Sequence, residues 1–121
     1  MTAQETREVE GFGTLFDRVS VMHASDQWSA TAADIAAVCG EPRRSDETGW
    51  ATWESLSVSD ETAGPAWCLL ARTADMTAVV TRARALGWQV GDQVIGGHEQ
   101  RVPLVGPSGL TVVAYSPIPA S

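Results

Sequence analysis

The feature that most constrains this chain is a plan that occurs twice: an alternating strand, an amphipathic helix, and a glycine placed to stop it. "TLFDRVSVMHA" alternates apolar and polar residues across positions 14–24, which predicts a strand. "SDQWSATAADIAAVCG" follows and puts Trp28, Ala32, Ile35 and Cys39 on one helical face. Ser25 or Asp26 is suited to cap that helix, because a short side-chain oxygen accepts a free backbone N–H there. Gly40 can end it in a left-handed conformation. The second copy begins with "AWCLLART", a strand over 66–73. "ADMTAVVTRARALG" then carries a buried stripe of Met76, Val79, Val80, Ala83 and Leu86, with Thr73 or Asp75 as cap and Gly87 as stop.

The segments between the helices read as further strands. "EPRRSDETG" is a loop, "WATWESLSV" (50–58) a strand, and "SDETAGP" a turn cluster. "WQVGDQV" and "EQRVPLV" are strand candidates separated by Ile95-Gly96-Gly97-His98, and "LTVVAY" is the last strand, entered through Gly106-Pro107-Ser108-Gly109. The whole predicts an α+β fold of two βαβββ modules, 12–64 and 65–117, preceded by a flexible arm at 1–11. At 121 residues the two modules make one structural domain. Each module forms a curved mixed sheet with its helix on the outer face, so that one side of every strand packs under the helix and the other lines a cup. Alternation places Arg18, Ser20 and Met22 on the cup side of the first strand. Cys68, Leu70 and Arg72 share that side in the second module, with Thr111, Val113 and Tyr115 on the last strand.

Composition narrows the function. No apolar run approaches the roughly 20 residues that span a bilayer, and the polar start "MTAQETREVE" lacks the apolar centre of a secretion signal. The expectation is a cytoplasmic protein with no membrane partner. Fifteen acids against eight bases, all arginine, give a net charge of −7. That argues against a nucleic-acid partner, which needs a basic surface, and favours neutral or cationic ligands. Cys39 and Cys68 stand at no metal-ligand spacing and read as reduced, buried thiols. His23 and His98 read as solvated or hydrogen-bonded residues without chemistry. Five tryptophans against three other Phe and Tyr residues are unusual for a core built for packing alone. An indole has a wide flat face and an N–H that needs a partner, which suits stacking on a planar ligand. Trp50, Trp53 and Trp67 are the expected cavity walls, Trp28 is expected in the core under its helix, and Trp88 is left unassigned.

The second half resembles the C-terminal module of the glyoxalase/bleomycin-resistance superfamily, also called vicinal oxygen chelate. The matching pieces are the strand ending near Asp75, the helix with Ala83, Leu86 and Gly87, the Gly96-Gly97 turn, and Gly106-Pro107-Ser108-Gly109 before the last strand. The family more often has Asp-Pro where Gly106-Pro107 stands, and the first half matches only in plan. The resemblance implies paired βαβββ modules assembled as a homodimer, with ligand cavities in the curved sheets. Its enzymes hold a divalent metal on His, Glu or Gln side chains; its antibiotic-binding members lack the metal and hold a drug between aromatic walls. The implied ligand positions fall here on Arg18, Cys68 and Val113, with Glu54 as a possible fourth. An arginine stays protonated and cannot ligate, a valine has no donor, and one acid cannot replace the set. No metal and no cofactor are therefore expected.

Together these readings point to a protein that binds a planar, partly apolar natural product such as an antibiotic and keeps it from its target. The predicted contacts are Arg18, Ser20, Met22, Trp50, Trp53, Glu54, Trp67, Cys68, Leu70, Val113 and Tyr115. The alternatives are a metal-independent biosynthetic enzyme, a cyclase, isomerase or hydrolase using Glu54, Arg18, Tyr115 and His98, and a dimeric interaction module whose tryptophans face a protein.

Overall fold

A computed structural model describes residues 11–46, 48–96 and 99–118. After a 3-10 turn at Gly13–Leu15 the elements run β1 Phe16–Ala24, α1 Trp28–Cys39, β2 Arg44–Ser45, β3 Trp50–Thr52, β4 Leu56–Ser59, β5 Trp67–Thr73, α2 Met76–Ala85, β6 Gln89–Val90, β7 Val94–Ile95, β8 Glu99–Val105 and β9 Thr111–Pro117. This is the mixed α+β arrangement with two helices that the repeated plan predicts. The chain forms two compact units, one of residues Val19–Leu70 and one of residues 11–18 with 71–118. The predicted arm at 1–11 falls outside the described residues except for Gly11, whose carbonyl accepts a hydrogen bond from Arg82 Nη1 at 3.1 Å. Among the described residues no helix is long and apolar enough to cross a membrane.

In the Val19–Leu70 unit the strand order is β2–β3–β4–β1. β4 pairs antiparallel with β3 and parallel with β1, Met22 lying opposite Ser57 and Ala24 opposite Ser59. A parallel pair needs a long crossover, and α1 is part of the connection that supplies it. The core is Ala51, Trp53 and Val58, each at most 5% exposed, packed against Trp28, Ala32, Ile35 and Ala36 of α1. Two indole N–H groups anchor the helix: Trp28 Nε1 donates to the Val58 carbonyl at 3.0 Å, and Trp53 Nε1 to the Gly40 carbonyl at 2.8 Å. Gly40 has φ +89, where an L side chain is strained, and its N–H bonds Ala36 O at 2.8 Å.

Three local expectations are corrected in this unit. The single strand expected over 50–58 is a hairpin, β3 and β4, turned at Trp53-Glu54-Ser55. Neither Ser25 nor Asp26 caps α1; the cap position is Gln27 and makes no side-chain bond, while Ser25 Oγ accepts from Gln27 N–H and bonds Thr31 Oγ1. The loop after α1 contains the two-residue strand β2, which pairs with β3. Asp46 closes that loop by accepting the N–H groups of Thr48, Gly49 and Trp50, each at 2.9 Å. Those bonds, Gly49's first, lower its carboxyl from 3.8 to about 2.

In the second unit β8 is central, paired antiparallel with β9, β6 and β7. Asp75 caps α2 by accepting from Ala78 N–H at 3.0 Å, as one of the two expected residues. Met76, Val79 and Ala83 of the predicted stripe are buried, and Val80 and Leu86 half-buried. Trp88 packs edge-on against Phe12, ring centroids 5.2 Å apart, which makes it a packing residue of this unit.

Replacing Trp53 by alanine removes both its core volume and its bond to Gly40, and is expected to cost about 3–5 kcal/mol of stability in urea unfolding. Trp53→Phe keeps most of the contact and should cost clearly less. Equal, negligible losses for both would show that Trp53 does not hold α1 to the hairpin.

Candidate functional site

The seven-residue ladder between β8 and β9 sorts side chains onto two faces of different character. Its register runs from Val105 opposite Thr111 to Glu99 opposite Pro117, with Arg101 opposite Tyr115 and Pro103 opposite Val113. Residues opposed in a ladder share a face. Val102, Leu104, Val112 and Ala114 form one face, none more than 5% exposed. Arg101, Pro103, Val105, Thr111, Val113 and Tyr115 form the other, and all are half-buried. A solvated sheet face would carry polar, exposed residues; this one mixes an aromatic ring, apolar side chains and a guanidinium, and covers each in part.

Charge gathers around Tyr115. Arg18, Glu99, Arg72 and Asp17 are all near enough to act on its phenol. Burial raises the Tyr115 hydroxyl above its ordinary value of 10.0; the two arginines pull it down and the two carboxylates push it up. The net direction is upward, so the phenol is neutral and a donor at neutral pH. Arg101 Nε stands 3.1 Å from Glu99 Oε2, and Arg72 Nη1 3.9 Å from Asp17 Oδ1. Arg101, Glu99 and Asp17 were not among the expected contacts. Arg101 was readable: Val102 and Leu104 alternate inward along "EQRVPLV", which turns Arg101 to the same side as Tyr115.

In the Val19–Leu70 unit the face away from the Ala51–Val58 core carries Met22, Trp50, Thr52, Ser57 and Ser59, by alternation and register. Ser20 continues that row on β1 and is buried. Ser57 Oγ donates to Thr52 Oγ1 at 2.8 Å. Cys68 and Leu70 are buried on β5, and burial raises the Cys68 thiol. Cys39, expected buried, is exposed.

The three expected tryptophan walls separate. Trp50 is half-buried on the face away from the core. Trp53 is a core residue, because its ring fills the space under α1 and its N–H is spent on Gly40. Trp67 alternates away from Cys68 and Leu70, is 60% exposed, and stacks on His23 at 4.1 Å between ring centroids. His23 Nδ1 donates to the Ala66 carbonyl at 2.8 Å, so this histidine is hydrogen-bonded, as one of its two expected states. Glu54 sits on the exposed hairpin turn with Arg43 at 3.9 Å. His98 lies outside the described residues.

The residues at the positions where the resemblance implies metal ligands do not fit a divalent ion. Arg18 is a cation, Val113 has no donor, Cys68 is a buried thiol held protonated, and Glu54 is an exposed carboxylate beside Arg43. Among the described residues no three His, Cys, Asp or Glu side chains come together.

No family model matches the chain, and no curated protein does. A solved structure does: a glyoxalase/bleomycin resistance protein/dioxygenase superfamily member from Vibrio splendidus 12B01, with a TM-score of 0.56 and 11% identity over 84% of this chain and 98% of that one. At that identity the likeness is one of fold, and the fold is the one the resemblance implies. A second solved chain, described as a conserved domain protein, covers 80% of this chain at 17% identity with a TM-score of 0.37.

Tyr115 is the sole tyrosine, so the alkaline rise of tyrosinate absorbance reads its phenol alone. Its midpoint should lie above 10.0 in the native protein. Arg18→Gln removes a cation that favours the phenolate and should raise the midpoint further, whereas Asp17→Asn should lower it. An unperturbed midpoint, indifferent to both changes, would place those charges elsewhere.

Proposed function

We propose that the chain binds a planar, partly apolar small molecule on the Tyr115 face of the β8–β9 ladder and does so without chemical change. The supporting observation is the division of that ladder: one side is closed core, and the other keeps an aromatic ring, Val113 and Pro103 half-covered beside polar side chains. Small-molecule sites combine such apolar lining with a few polar groups that fix orientation. The fold match is compatible with this reading, since the matched protein belongs to a superfamily named for glyoxalase, bleomycin-resistance and dioxygenase members alike. Sequestration of an antibiotic or biosynthetic intermediate, within a cytoplasmic homodimer, is the form this reading takes.

Aromatic stacking adds about 0.5–1.5 kcal/mol to area burial, and micromolar affinity corresponds to about −8 kcal/mol.

Isothermal titration against a panel of planar natural products tests the proposal. A binder should be recovered intact by chromatography, and Tyr115→Ala should weaken it about tenfold. Recovery of a converted product would replace this reading with the biosynthetic-enzyme alternative. A panel with no binder, or one that Tyr115→Ala binds equally well, would overturn the assignment of the site.

A further inference from the structure

The overall charge and the charge at Tyr115 have opposite sign. The chain carries −7, and only eight bases are present in it. Three of them, Arg18, Arg72 and Arg101, belong to the surroundings of Tyr115, against the carboxylates of Asp17 and Glu99. The group is locally positive on an acidic protein.

Stability does not account for that arrangement. The Arg72–Asp17 pair stands at 3.9 Å with both side chains about half exposed, and such pairs contribute about 0–1 kcal/mol. Clustered guanidinium groups repel one another, and two carboxylates offset three cations only in part. Each guanidinium has five N–H donors in a planar fork, so one engaged with a neighbouring carboxylate still presents donors to an incoming anion. The neutral Tyr115 hydroxyl adds a further donor on the face it shares with Arg101.

We infer that the ligand bound at this face carries an anionic group, a carboxylate or similarly compact oxyanion, which Arg18, Arg72 and Arg101 hold beside the Tyr115 hydroxyl. This inference rests on the binding proposal and specifies its polar end. It reverses the expectation, drawn from net charge alone, of a neutral or cationic ligand. The planar body lies on Val113, Pro103 and the phenol ring, and the acid points to the guanidinium groups. Planar bidentate pairing with carboxylate is the geometry at which arginine exceeds lysine.

The test compares two probes with one planar body, 1-pyrenecarboxylate and 1-pyrenecarboxamide, by fluorescence anisotropy with the full chain. The carboxylate should bind at least about tenfold tighter, and added salt should narrow the gap. Arg18→Gln should remove most of the preference by weakening the carboxylate more than the carboxamide, and an unchanged far-UV circular dichroism spectrum shows that the variant is folded. Arg72→Gln, also at an exposed position, gives the same test should Arg18→Gln not fold. Equal affinity for the two probes would overturn this inference and leave the binding proposal standing. A preference that survives both substitutions would overturn the assignment to these arginines. Failure of both probes to bind would remove the binding proposal and this inference together.

Discussion

The site depends on the register of one antiparallel ladder. Gly106-Pro107-Ser108-Gly109 turns the chain between β8 and β9, with Gly106 N–H bonded to Leu110 O and Gly109 N–H to Gly106 O, both at 2.9 Å. Gly109 takes φ +94, a conformation open to glycine and strained for other residues. This turn starts the ladder at Val105 opposite Thr111, and every later pair follows. A one-residue slip of β9 would carry Tyr115 and Val113 to the core side and push Val112 and Ala114 out. The apolar pairs Val102–Ala114 and Leu104–Val112 resist that slip, because their burial is lost in any other register. Core packing and site geometry are thus set by the same hydrogen bonds.

The Val19–Leu70 unit solves its anchoring differently. α1 is short of large residues and buries none of its side chains fully, so contact area alone holds it weakly. Two tryptophans compensate. Trp28 reaches from the start of the helix to Val58 O, and Trp53 from the hairpin turn to Gly40 O at the helix end. Each indole combines a large apolar ring with one directed bond, which fixes a small helix in place. Part of the tryptophan excess that suggested ligand stacking therefore belongs to helix anchoring.

The repeated plan was legible because each copy obeys its local rules: alternation for strands, a 3.6-residue stripe for helices, and glycine at the stop. What was not legible follows from signals that local rules do not carry. The turn at Trp53-Glu54-Ser55 has no Gly, Pro or Asn to mark it, so β3 and β4 read as one strand. Trp67 was grouped with Cys68 although neighbours on a strand face opposite ways, and its exposure and stacking on His23 reflect that. Gln27 stands at the helix cap because Ser25 is occupied by its own turn with Gln27 N–H and by Thr31. Tyr115 and Val113 were legible as sharing one face of the last strand, since alternation suffices to place them. The charges gathered around Tyr115 come from the starts of β1 and β8 and from β5, and only the fold shows that they meet.

Charge is where the two levels diverge most. A net value sums over the whole surface and governs solubility and long-range steering. Recognition depends on what lies close to the bound group, and screening at ordinary salt confines exposed charges to about 8–10 Å. In this chain most acids are spread over loops and helix starts, Asp46, Asp60 and Asp75 among them, while three of the eight arginines stand around the one tyrosine with Asp17 and Glu99 against them. At the positions where the resemblance implies metal ligands the chain has Arg18, a permanent cation, and Val113, an apolar side chain. Neither can donate a lone pair to an ion, and the proposed anionic group is the ligand chemistry that a fixed guanidinium suits instead.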